Sequence, residues 1–393
     1  MRIVFHEMRK IWNIRILGII VLLCSLYYLL FMSFNIVYFP NGHSMTEEFE
    51  YSVELLNRYG PTLEEEEFIE FTTETREKLI AEMNGYIKSM PVFADAGIFS
   101  FEDYEKVREK PTNTEAERKA VWTLLGEECD YVRFKLQALD LISERYRNYP
   151  MYMLPRLISE AESYGKRETA RLNFIEATEE YRNIMDQYTY EDSVEYFVAL
   201  AVLSVLSVLV LVSPLITGDR AREIHLLQYT AKQGRKILRK QLTAIILSAF
   251  ILTTLLVLIF GAIYSVNGTF VFWNSGITSF LNRTFWIDIT YGQYILLSVA
   301  MLYIICLGTA TFAFLASRFS RNLIALILKL IPVFFALLAL CRIVLRYTFS
   351  PGNSLYRITR IIGTEPFVCI LVMIIGLVMS FYVLRKEKRA DTV

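Results

Sequence analysis

Seven basic side chains, Arg220, Arg222, Lys232, Arg235, Lys236, Arg239 and Lys240, crowd the stretch between two long apolar runs. They frame the segment QYTAKQGRKILRKQL, Gln228 to Leu242, which carries Gly234 near its middle. Clustered Lys and Arg in such a place hold a loop on the inner side of a membrane, or offer a contact surface to a protein partner. Residue sets for covalent or metal chemistry do not accompany them. The histidines His6, His43 and His225 have no ligand spacing. Four of five cysteines (Cys24, Cys306, Cys341, Cys369) fall in apolar runs, and Cys129 alone lies outside them. That permits neither a disulfide framework nor a C-x-x-C metal site in the polar part. The sequence holds no G-x-x-x-x-G-K-[ST], no H-E-x-x-H and no G-x-S-x-G. Acidic pairs such as Glu64 and Glu67 are abundant, and on a helix such pairs ordinarily form a solvated face. Asn267-Gly-Thr and Asn282-Arg-Thr match the glycosylation pattern, a match common by chance. The expectation is a chain that is not an enzyme.

The apolar runs decide the class. The chain is 54% hydrophobic over 393 residues with a mean hydropathy of +0.35, more than soluble enzymes of this length usually carry. Six segments reach the roughly 20 apolar residues a bilayer requires: Ile16–Phe39, Tyr196–Ile216, Thr243–Val266, Tyr294–Ala316, Leu323–Val344 and Pro366–Leu384. The first is longer than the roughly 7–15 residue core of a cleavable signal and lacks an A-x-A-like site, so it reads as a retained anchor. The expected fold is an all-α membrane protein of six transmembrane helices, with an α-helical extracellular domain inserted between the first and second. Its parts are a cytoplasmic amphipathic helix (1–15), the first transmembrane helix (16–39), the extracellular domain (40–195) and a membrane domain of five helices (196–393). The last includes a cytoplasmic elbow (218–242) and an interfacial outer loop (267–293).

Charge sets the orientation. Between Asn41 and Asp192 stand 33 acidic and 18 basic side chains, a net of −15 in a chain whose formal total is zero. Arg2, Arg9, Lys10 and Arg15, the elbow cluster, Arg318 with Arg321, and Arg385, Lys386, Lys388 with Arg389 all fall on one side if every span crosses once. That side is cytoplasmic by the positive-inside bias, with both termini there, residues 40–195 extracellular and the chain in the cell membrane. Arg346, Arg357 and Arg360 run against the pattern. In the acidic block, Thr62-x-x-Glu65 and Thr114-x-x-Glu117 have capping-box spacing. Val121, Leu125, Cys129, Val132, Leu136, Leu139, Ile142 and Tyr146 trace one helix face. A second long helix is expected from Pro155 towards Tyr188, continuous with the second span, with breaks at Pro91, Pro111 and Pro150. The aromatics Phe270, Phe272, Trp273, Phe280, Phe285 and Trp286 suit a membrane interface.

Two further polar features lie near or in the spans. FHEMRKIWNIR places Phe5, Met8, Ile11 and Trp12 at helical spacing among charges that include Glu7, Arg9 and Lys10, an amphipathic helix for the inner leaflet. Lys329, seven residues into the fifth span, is a candidate intramembrane polar site, although it can snorkel to the inner surface.

Beyond the second span, TGDRAREIHLLQYTAKQGRKILRKQL suggests a helix facing inward through Ile224, Leu227 and Ala231, with Arg220, Glu223 and Lys232 outside. Gly234 bends it, and Arg235 opens a second helix into the third span. Here the sequence resembles the membrane subunits of the type-2 ABC exporter family. The resemblance rests on the six-span layout, on Glu7-Met8-Arg9-Lys10, and on Glu223, Leu226, Leu227, Thr230, Gly234, Arg235 and Lys240, while Ala231-Lys232 replaces the family's usual proline. It implies that the elbow couples to a separate cytoplasmic ATP-binding subunit, and that ATP and Mg are held there, no cofactor being bound by this chain. It also implies a second permease subunit, identical or related, and export of a peptide, drug-like or amphipathic substrate. The acidic domain would suit cationic cargo by steering. The bilayer is the other partner, and no nucleic acid is expected. The alternative is a membrane-anchored receptor or scaffold whose helical ectodomain binds an outside partner without transport.

Overall fold

The computed structural model describes residues 2–126, 130–161, 165–223 and 237–389. The chain opens with α1 (Arg2–Ile11), α2 (Ile14–Phe31) and the short α3 (Phe34–Val37). A block of helices follows: α4 (His43–Tyr59), α5 (Glu65–Ser89), α6 (Pro91–Asp95), α7 (Phe101–Arg108), α8 (Glu115–Gly126), α9 (Asp130–Asn148), α10 (Leu154–Ala161) and α11 (Lys166–Thr178). Then come α12 (Gln187–Val212), α13 (Pro214–Ala221), α14 (Ile237–Tyr264), α15 (Tyr291–Arg318), α16 (Leu323–Leu345), α17 (Ser354–Thr359) and α18 (Thr364–Arg389). Pairing of β type among the described residues is limited to three isolated bridges.

In lipid a backbone must satisfy its polar groups within its own segment, which long apolar runs do as helices. Six helical stretches are long and apolar enough to cross a membrane: α2, α12 with α13, α14, α15, α16 and α18. The protein is accordingly all-helical and carries six candidate membrane spans. The second span is the hub. It is 78% buried, against 6% for the first and 11% for the fifth, and it packs on α2, α14, α15 and α16. The fourth and sixth spans approach closely where Gly308 and Gly376 face each other's helix. A Cβ on Gly376 would stand 2.0 Å from Thr311 Oγ1, and one on Gly308 would stand 3.3 Å from the Met373 backbone. Small residues are what permit such an approach between membrane helices.

Between the first and second spans the helices pack as a bundle centred on α9, which lies against α4 and α5. Val132, Leu136, Leu139 and Ile142 are buried as the periodicity requires, while Cys129 lies outside the described residues. The Thr114 box forms: Glu117 N donates to Thr114 Oγ1 (3.2 Å) and Thr114 N to Glu117 Oε2 (2.8 Å). The Thr62 box does not. Glu64 caps α5 instead, with its own N–H on Glu67 Oε2 at 2.9 Å. Thr62 is drawn two residues away into a bridge with Asn183.

Two breaks also differ from expectation. Pro150 does not stop the chain; residues Tyr149–Met153 form a π turn that carries α9 directly into α10. The long helix after Pro155 is not continuous with the second span. Glu179 takes a left-handed conformation (φ 52°) after α11, and Asp186 caps a fresh start at α12, accepting from Thr189 N at 2.6 Å.

The loop 267–293 departs most. Four of the six rings expected at an interface turn into protein: Phe272, Phe280, Phe285 and Trp286 are all at most 4% exposed, while Phe270 keeps 38% of its surface open. Phe280 meets Tyr146 at 5.0 Å, Phe285 meets Tyr190 at 5.1 Å, and Phe280 N donates to Tyr181 O at 2.7 Å. The loop is the floor on which the helical block sits. Aromatic residues serve an interface and a core equally well, so composition alone could not separate the two.

Candidate functional site

The polar residues at the ends of α1, α13, α14 and α15 converge on one buried junction, at the roots of the elbow. On α1 the positions Val4, Glu7 and Ile11 share a face, and this face lies along the first turns of α14. Phe5, expected on it, is 70% exposed. A carboxylate on a buried face needs partners, since an unpaired buried charge is costly. Glu7 finds two. Lys10 Nζ donates to Glu7 Oε1 at 2.9 Å, and Gln241 Nε2 donates to Glu7 Oε2 at 3.1 Å.

The same two donors reach across to α13. Lys10 Nζ stands 3.2 Å from Asp219 Oδ2, and Gln241 Nε2 donates to that atom at 2.9 Å. Glu7, Asp219 and Gln241 are all nearly sealed from solvent, while Lys10 keeps 40% of its side chain exposed. Burial pushes the Lys10 ammonium down, but the hydrogen bonds and charges of Glu7 and Asp219 together outweigh it and hold the group above the ordinary lysine value. One ammonium and one amide thus bind two carboxylates, each from a different element.

α13 is fastened on its other side to the end of the fourth span. Thr217 and Ser317 hydroxyls are 3.0 Å apart. The Arg220 guanidinium donates to Ser320 O at 2.7 Å and to Arg318 O at 3.1 Å, taking up carbonyls that a helix C-terminus leaves unpaired. Arg220 therefore faces a neighbouring helix and not the outside, as the sequence suggested. Lys329 donates to Phe319 O, the cap residue of the same helix, so its ammonium reaches back past the start of the fifth span. Trp12 Nε1 donates to Ser248 Oγ at 3.1 Å and secures the end of α1.

Of the residues singled out beforehand, Glu7 and Lys10 enter the junction and Arg9 is exposed. Glu223 is exposed, in a left-handed conformation (φ 57°) just after α13 ends. The helix expected to run through it from Arg220 is therefore interrupted there. Lys240 lies half-buried on the first turn of α14. Leu226, Leu227, Thr230, Gly234 and Arg235 lie outside the described residues. Asp219, Gln241, Ser248 and Ser317 were missed. The signal for them was present as polar residues placed at the margins of apolar runs, where a side chain either snorkels or finds a buried partner.

The junction's acids are paired and its base is held between them, an arrangement that ties three elements together. Among the described residues no group of three His, Cys, Asp or Glu side chains is placed to hold a metal. Comparison with family models, curated proteins and solved structures gave no match.

Proposed function

We propose that this chain is the membrane subunit of an ABC-type exporter, driven by a separate ATPase that grips the elbow between α13 and α14. The observation that carries the proposal is the buried tie across the elbow's two roots. Asp219 stands at the elbow's entry and Gln241 at its exit; Lys10 on α1 binds Asp219, Gln241 binds Glu7 on α1, and Gln241 also binds Asp219. A push on the elbow would pass into the second, third and fourth spans through hydrogen-bonded contacts instead of being absorbed by slack loops. Six candidate spans without a phosphate loop in the sequence are consistent with a borrowed motor. On this proposal the elbow and both termini are cytoplasmic, and the acidic helical block is outside, as the distribution of Lys and Arg favours. Two permease subunits would form the pathway. Cargo of peptide or amphipathic character would leave the cell.

The test is purification of the native complex. A phosphate-loop ATPase is expected to copurify and to be lost on joint charge reversal at Glu223 and Arg235. A chain recovered intact without any ATPase, and bound instead to an outside partner, would overturn the proposal in favour of a receptor.

A further inference from the structure

A cavity of about 550 Å³ opens where the helical block, the floor loop and the connection between the fifth and sixth spans meet. Ligand sites favour such seams, in the range of about 300–1,000 Å³. Its apolar wall is made by Leu141, Tyr149, Met153, Leu157 and Phe280, and its polar wall includes Glu144, Arg145, Gln187, Asn282 and Arg283. The segment Ser350–Gly352 closes the third side.

Two peculiarities of the chain border this space, and another lies in the segment that leads into its Ser350–Gly352 side. The first is the π turn Tyr149–Met153, a rare form that recurs at functional sites. It leaves Met153, which lines the cavity, more than half exposed, and methionine suits an adaptable apolar contact. The second is backbone strain. Tyr347 (φ 55°) and Phe349 (φ 60°) are both left-handed, a costly state for aromatic residues. They are held there by Trp286 N on Phe349 O (2.8 Å), by Phe349 N on Glu365 Oε1 (3.2 Å), and by Asn353 Nδ2 on Arg346 O (2.9 Å). The third is a pair of unsatisfied atoms on lining residues. Asn282 Oδ1 and Arg283 Nε are buried and find no hydrogen-bond partner among the described residues. Such atoms normally find one.

The charges narrow the ligand. Arg145 is neutralised by Glu48 at 2.8 Å and Arg283 by Glu191, while Glu144, which accepts from Asn148 Nδ2 at 3.2 Å, adds a negative charge, so the cavity offers donors without an excess of positive charge. An anion gains little there. A neutral group with one donor and one acceptor, attached to an apolar side chain, matches both walls. We infer that this seam cavity binds a peptide segment bearing apolar side chains. Its N–H would pair with Asn282 Oδ1 and its carbonyl with Arg283 after a modest turn of those side chains, its apolar groups lying against Leu141, Met153, Leu157 and Phe280. The site is defined on the chain alone and stands whether or not an ATPase docks at the elbow.

The full chain in lipid nanodiscs, labelled on its methionine methyl groups, provides the assay, because only 12 methionines report. Titration with acetyl-Leu-Phe-Leu-amide is expected to shift the Met153 methyl resonance saturably. Leu157→Glu should weaken binding at least tenfold. An analogue with an ester in place of the central amide lacks the donor and should bind the unaltered chain about fivefold more weakly, the usual effect of one neutral hydrogen bond. An unmoved Met153 resonance at millimolar peptide would overturn the inference. So would equal binding of amide and ester, which would mark an unspecific apolar contact.

Discussion

At Gln241 a single neutral amide stands between two buried carboxylates, so its loss should be felt beyond its size. Gln241→Leu removes one donor from each of Glu7 and Asp219 while Lys10 keeps its contact to both. Stranding buried acceptors costs about 1–3 kcal/mol, expected as a lower unfolding temperature in detergent and as a loss of any partner that depends on the elbow's posture. Gln241→Glu should be worse, adding a third carboxylate. Asp186 predicts a pH effect of opposite flavour. Burial holds its carboxyl up to about 6 in the folded chain, against 3.8 ordinarily. A raised carboxyl favours the fold below pH 4, and that contribution is lost as pH rises through 6. Glu48 and Arg145 face the same group, and burial pushes Glu48 up as well, so some slope persists without Asp186. Asp186→Asn retains a cap for Thr189 N and removes the ionisation. Melting curves from pH 4 to 8 should show the native protein losing more stability than the variant, with the variant melting higher at pH 7.5.

Helices meet through what their faces lack as much as through what they carry. Gly376 has no room for a side chain beside Thr311, whose hydroxyl is fixed by a 2.6 Å hydrogen bond to Gly308 O. Gly376→Leu is expected to separate the fourth and sixth spans and lower the unfolding temperature by more than the same change at Gly261, where a Cβ meets nothing within 4 Å. Such elements were legible to very different degrees. The spans could be read because about 20 apolar residues in a row have few other uses; the structure places a spanning helix in each of the six segments, although the first ends at Phe31 and not Phe39. The buried fate of Phe280 and Trp286 could not be read, because it depends on Tyr146, Tyr181 and Phe349, far away in the chain. Nor could the π turn: Pro150 forbids one backbone hydrogen bond, but only tertiary packing decides whether the helix ends or shifts register. In the junction, Glu7 and Lys10 stood among the charges of the amphipathic start, but nothing in their spacing marked Glu7 as buried. Their partners Asp219 and Gln241, more than 200 residues on, were not legible.

At the scale of the whole molecule, the net charge of −15 on one block and its complement on the other define two unlike ends. The orientation that follows is open to direct measurement. In a Cys129→Ser background, Glu102→Cys should react from outside intact cells with a membrane-impermeant maleimide. Glu223→Cys should react only after permeabilisation. The reverse pattern would place the acidic block inside and remove the elbow from any cytoplasmic motor.

The floor loop has a consequence in time. Synthesis delivers the block from α4 to α11 long before residues 272–286 exist, and the Phe349 turn that holds Trp286 comes later still. Until then Phe68 and Tyr146, stacked at 3.9 Å, and Tyr149 and Tyr181, stacked at 5.5 Å, cover each other but lack the floor that closes their other sides. The part of the protein that leaves the ribosome early is therefore among the last to be finished, and its aromatic underside must be kept from wrong partners while the remaining spans arrive. A fragment ending at Asp186 would carry that underside permanently.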